Sequence, residues 1–218
     1  EIDAVAEKII LENIEENFPD HAIYSEETGM IDKKSEYLWI VDPLDGTSNY
    51  LRTLSHSCVS IGLSQNNEMI VGVIYDPFTD ELFAAEKGKG ATLNGKPLEP
   101  IANTDLSKAV VGMGRGTSPE AKRVHGELLN KFMDDIRTIR VLGSIALDLC
   151  CVAAGRFEAH VNNQCNFYDC AAGVIICTEA GVNVVHFENN PWQIDTDKPS
   201  DLIVAKKEVA EQLQKLIN

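Results

Sequence analysis

The stretch LWIVDPLDGTSNY, Leu38 to Tyr50, closes an apolar run with two aspartates that bracket a proline. Leu38 to Val41 is too short for a helix and β-branched enough for a buried strand. Pro43 confines Asp42 to extended backbone and is expected to stop the strand ladder there. Gly46 permits a tight turn, and Thr47-Ser48 offer hydroxyls to cap whatever follows. A carboxylate at a strand end, with a second one three residues on, is costly unless it binds something.

Three further acids stand at comparable places. Glu26-Glu27 follow the strand-like AIYS, and Asp169 opens the small-residue helical run DCAAG. Five acids from three separated segments could converge on one site. Oxygen-only ligands without a nearby His or Cys indicate a hard cation such as magnesium, not zinc.

Around these acids the pattern alternates. Residues 3–17 carry apolar side chains at helical spacing and stop at Phe18-Pro19. Residues 58–98 alternate apolar segments with turn signals at Asn66-Asn67, Asp76-Pro77 and Asn94-Gly95, the pattern of an antiparallel meander. Beyond about residue 102 strands and helices alternate: strands at 109–116, 138–143, 157–162 and 182–187, helices at 119–136, 144–155 and 169–181. The first half reads as α+β and the second as α/β, packed in layers.

Composition narrows the function. The chain has 218 residues, 44% of them hydrophobic and 24% charged, enough for a sizeable core. No apolar run is long enough to span a membrane and no signal-peptide pattern opens the sequence, so a cytoplasmic location is expected. The formal charge of −15 disfavours nucleic acid as a partner, although bound cations would still allow an anionic phosphate ester. Six cysteines show no zinc-ligand rhythm and read as reduced thiols. His56, His125, His160 and His186 do not cluster with the acids in sequence and read as structural or surface residues.

Taken together, DPLDGT, the upstream SEE, YDCAAG, the opening EIDAVAEKII and GSIALDLCCVAAGRFEA resemble the inositol monophosphatase family over nearly the whole chain. That family comprises magnesium-dependent, lithium-sensitive phosphatases, within a superfamily that includes fructose-1,6-bisphosphatases and nucleotide 3′-phosphatases. The resemblance implies a layered αβαβα sugar-phosphatase fold. It makes residues 1–102 an α+β half with most metal ligands, and 103–218 an α/β half with Asp169 and the substrate contacts, packed as one unit. On this comparison the sequence opens inside a motif, with the family's first helix preceding it.

The resemblance also implies roles. Glu26, Asp42, Asp45 and Asp169, with the carbonyl of Leu44, would hold two or three magnesium ions, Asp42 bridging two of them. Gly46 and Thr47 would offer backbone N–H groups to the phosphate, where Asp45 and Asp169 would also face the substrate. The Thr47 hydroxyl, paired with Asp3 and near Glu26, would orient and help deprotonate the attacking water. Gly143, Ser144 and Ile145 would form a substrate turn. Two positions depart from the family: Asn162 replaces a glutamate that contacts inositol hydroxyls, and Tyr168 replaces a tryptophan. The expected substrate is therefore a sugar or polyol phosphate monoester, with inositol phosphate and fructose-1,6-bisphosphate both candidates. A homodimer is the expected assembly. A non-catalytic metal- or phosphate-binding regulator is the alternative of a different class.

Overall fold

The computed structural model describes residues 2–100, 102, 105–196 and 198–218. Glu1 of the opening motif and residue 103 at the expected boundary between the halves lie outside them. Helix α1 (Ile2–Asn17) packs Ile10, Leu11 and Ile14 against Ile23, Val41 and Trp39. It covers one face of an eight-stranded sheet made of β1 (Ala22–Ser25), β2 (Gly29–Ile31), β3 (Tyr37–Asp45), β4 (Cys58–Gln65), β5 (Glu68–Asp76), β6 (Glu81–Glu86), β7 (Ala91–Leu93) and β8 (Lys96–Pro97). The spatial order is β2-β1-β3-β4-β5-β6-β7-β8, with β1 parallel to β3 and every other pairing antiparallel. The expected meander over residues 58–98 is present. Its alternation is visible in β4, where every second residue is buried.

The second half builds a five-stranded sheet from β9 (Val110–Arg115), β10 (Thr138–Arg140), β11 (Ala159–Cys165), β12 (Asn183–Val185) and β13 (Ser200–Ala205), in the order β10-β9-β11-β13-β12. Helices α4 (Ile145–Ala153) and α5 (Phe167–Glu179) lie between the two sheets, where Leu149, Ile176, Ile74, Phe83, Leu202 and Val204 share one core. Helices α3 (Pro119–Phe132) and α6 (Lys207–Ile217) cover the outer face through Leu128, Phe132, Val209 and Leu213. The result is the layered αβαβα arrangement.

Helix α5 comes unusually close to the first sheet. Gly62 and Gly72 are paired across β4 and β5 beneath it. A Cβ on Gly72 would stand 2.5 Å from the carbonyl oxygen of Ala172, and one on Gly62 3.4 Å from its nitrogen. Small residues on both sides bring Asp169, in the first turn of α5, down to the end of β3. All six cysteines are free, and Cys151 alone is not buried.

Candidate active site

The β3–β4 ladder does not stop at Pro43, contrary to the expectation from the proline. Asp42 pairs with Ser60, the register shifts, and Asp45 pairs with Cys58. An irregularity of this kind accommodates a residue without an N–H and re-aims the side chains around it. Asp42 and Asp45 are both buried, and the N–H of Leu44 donates to Asp42 Oδ1 at 3.0 Å.

Gly46 follows with φ +86°, and a Cβ there would stand 2.7 Å from the carbonyl oxygen of His56, so glycine alone fits. Gly46, not Thr47, is the N-cap of the short helix α2 (Thr47–Tyr50). Thr47 Oγ1 instead donates to the carbonyl of Leu44 at 3.0 Å and reaches Asp3 Oδ1 at 3.5 Å. Asp3 thus sits in the first turn of α1, facing the loop that carries the paired aspartates.

Asp169 joins from α5, where Asn166 Nδ2 donates to its Oδ2 at 3.2 Å. Single oxygens of Asp42, Asp45 and Asp169 all lie within 4.8 Å of one another. Glu26 stands beside them in the turn after β1, exposed, with its N–H donating to the carbonyl of Val41 at 3.1 Å. Burial pushes Asp42 and Asp169 up, and repulsion from Asp45 and Glu26 adds to it. Glu26, whose surface is exposed, is raised by partial desolvation and by repulsion from Glu27, Asp3 and Glu7, against its contact with Asp42. Asp45 is pushed up to about 6 by burial, against hydrogen bonds from Ser144 and Ala146. These four acids cannot all ionise at low cost unless a cation joins them, and their all-oxygen donor set fits a hard divalent ion.

Ser144 caps α4, accepting from the Leu147 N–H at 3.3 Å, and donates its hydroxyl to Asp45 Oδ2 at 2.6 Å. The Ala146 N–H donates to the same oxygen at 2.7 Å. Gly143 precedes it against Asn49, and Ile145 is half-buried at the start of α4. Asn162 lies on β11, paired with Leu202 and Gly114, and is completely buried. Neither amide atom of Asn162 has a hydrogen-bond partner. Tyr168 packs against Tyr24, with burial and then Asp169 raising its phenol.

One residue escaped the reading of the sequence. Glu7 of α1 is buried and accepts hydrogen bonds from Ser25 Oγ, the Glu27 N–H at 3.3 Å, the Thr28 N–H at 3.1 Å and Thr28 Oγ1 at 2.8 Å. These donors flank Glu26 on both sides. The available signal was periodicity: position 7 falls on the same stripe as Leu11 and Ile14, a place where an acid needs partners.

A layered α/β fold with three converging carboxylates at a strand end and a helix start, and Glu26 beside them, defines a class of acid-lined, cation-compatible site. The chain belongs to the inositol monophosphatase family, whose profile matches residues 1–218. It is 38% identical over 223 residues to Nus factor SuhB of Xylella fastidiosa, covering 100% of this chain and 80% of that one. It is 40% identical over 188 residues to inositol monophosphatase 1 of Solanum lycopersicum, covering 83% and 69%. The solved inositol monophosphatase from Anabaena superposes with a TM-score of 0.91 at 35% identity, covering 99% of this chain and 85% of that one.

Proposed function

We propose that the protein is a magnesium-dependent phosphatase that hydrolyses a phosphate monoester of a sugar or polyol. The observation that carries this reading is the convergence of Asp42, Asp45 and Asp169 oxygens within 4.8 Å, in buried surroundings that disfavour their joint ionisation. Glu26, Asp42, Asp45 and Asp169, with the carbonyl of Leu44, would hold the ions. When bound, magnesium supplies Lewis-acid charge neutralisation for an in-line displacement at phosphorus.

The chain's own groups do the rest. Gly46 and Thr47 meet the phosphate with backbone N–H groups at the start of α2. Thr47, tethered to Leu44 and within reach of Asp3, orients the attacking water beside Glu26 and passes its proton toward Asp3. The water oxygen bonds to phosphorus, the ester P–O bond breaks, and the alkoxide leaves on the opposite side and takes a proton from solvent water. Glu7 holds the turn that presents Glu26. The Gly143–Ile145 turn is assigned to the alcohol; assigning Asn162 to it as well requires the completely buried amide to become exposed when the ester binds.

A phosphate-release assay on inositol, fructose and glycerol phosphates tests the reading. Turnover with magnesium and none in chelator is expected; full turnover in chelator would sink it. Inhibition by lithium on the order of tens of millimolar is expected from membership of the family alone. A relative named as a Nus factor favours a second reading, a non-catalytic phosphate-binding regulator. Magnesium-dependent binding of the esters without release of phosphate would support that alternative. A homodimer is the proposed assembly, and light scattering checks it.

A further inference from the structure

One buried group of ionisable side chains has no part in this chemistry. Asp148, at the end of the first turn of α4, is 1% exposed. Its Oδ1 lies 3.4 Å from Nε2 of His56, and its Oδ2 lies 3.3 Å from Nδ1 of His160, ion-pair distances without hydrogen-bond geometry. His160 is wholly buried on β11, and His56 is mostly buried in the segment between α2 and β4. A carboxylate this far from water is expensive unless it is paired. Burial pushes Asp148 up, yet His160 and then His56 outweigh it and hold the acid below its ordinary range. Gly112 and Gly114 make room beside the cluster, since a Cβ on Gly112 would stand 2.8 Å from His160 Nδ1.

The place of this cluster gives it meaning. The same first turn of α4 supplies Ser144 and Ala146, which both donate to Asp45 Oδ2. His56 lies two residues before Cys58, the partner of Asp45 in the ladder. Asn49 adds a third tie, donating to the carbonyls of His56 and Leu142 at 2.8 Å each. Two cross-connections thus run side by side between the same segments: Asp45 to Ser144 and Ala146, and His56 to Asp148. His160 anchors the second of them to the five-stranded sheet.

We propose that Asp148 is a positioning residue that, held by His56 and His160, fixes the first turn of α4 against the end of β3 and so sets the orientation of Asp45. The proposal rests on the reading of Asp45 as a metal ligand. Groups that orient a ligating carboxylate from behind typically control metal affinity by about ten- to a hundredfold. A buried pair that served only to fill the core would change stability and leave affinity alone.

Magnesium titrated into the substrate-free protein, followed by thermal shift and by calorimetry, separates these roles. Asp148→Asn preserves shape and removes the charge. It should raise the magnesium concentration for half-maximal effect by about tenfold. His56→Gln should shift it in the same direction, and the double variant should fall short of the product of the two single effects, because both act through one contact. If Asp148→Asn does not fold, His56→Gln alone carries the test. A midpoint within about twofold of the parent in the folded variants, with only the unfolding temperature lowered, overturns the proposal. No magnesium response in the parent would overturn the metal reading and this proposal with it.

Discussion

Ser144 donates its hydroxyl to Asp45 at 2.6 Å, joining the N-cap of α4 to the end of β3 across 99 positions of sequence. One oxygen atom therefore starts a helix and steadies an acid. Ser144→Ala removes the cap, at a cost of about 0.5–2 kcal/mol. It also removes a hydrogen bond that favours ionised Asp45, so the acid limb of the activity profile should move to higher pH. Urea unfolding and a pH–rate profile read the two effects separately; a destabilised variant with an unmoved profile would separate Ser144 from the chemistry.

Asp42→Asn should reduce activity to background while the fold persists. The substitution deletes one charge from a set whose members repel each other. The cation-free variant is expected to melt at the same temperature as the parent or higher, with the stabilisation by magnesium much reduced. Normal turnover would show Asp42 to be a structural residue of β3 only.

The stability of the cation-free protein should pass through a maximum in mildly acidic solution. Asp45 is pushed up to about 6 from an ordinary 3.8, so between those values the folded chain holds a proton that the unfolded chain has lost. Stability then falls as pH rises, and Glu26, Asp42 and Asp169 are raised in the same sense. Glu7 behaves oppositely. Burial pushes it up, but hydrogen bonds from Ser25, Thr28 and Glu27 outweigh that and hold it below its ordinary 4.5. Its contribution is complete above that value and lost as pH falls through the lower folded value. Unfolding temperatures in chelator should rise from neutral to about pH 5 and decline below about pH 4, with Glu7→Gln flattening the decline. A steady loss from neutrality downward would contradict this.

Asn162→Leu should improve stability and impair turnover. The buried amide has neither atom paired, and a similarly sized apolar side chain removes a penalty of about 1–3 kcal/mol. If the substrate's alcohol is its missing partner, kcat/KM for polyol phosphates should drop on the order of ten- to a hundredfold. A more stable variant with unchanged kcat/KM across a panel would remove Asn162 from substrate choice.

The acids were legible in the sequence because chemistry constrains them locally. Asp42 and Asp45 are bracketed by Pro43 and Gly46, and the meander that follows is written in alternation and turn residues. What the sequence concealed depends on partners far along the chain. Pro43 reads as a stop, but the shifted register with Ser60 and Cys58 carries β3 through it. Glu7 reads as one acid among several on α1 until Thr28 and Ser25 fold back onto it. The element reading also stops at residue 187: β13 is defined by its pairing with β11 and β12, whereas α6 is legible in the helical spacing of Val209, Leu213 and Leu216, a signal that reading leaves unused. Asn162, which could pass for a residue of a polar loop, lies in the interior because Leu202 and Gly114 flank it in the sheet.

The glycine pair under α5 gives the protein a mechanical tolerance that its acids do not reveal. Gly62 and Gly72 touch none of the carboxylates, yet they fix how deep the helix bearing Asp169 can seat. A single methyl group on Gly72 would have to displace Ala172 or Ile175, lifting the helix one turn from Asp169. The spacing of the acids is thus gauged from a seam one turn along the same face of the helix. Sequence drift or engineering at that seam would change the spacing of the acids while every residue of the site stayed the same.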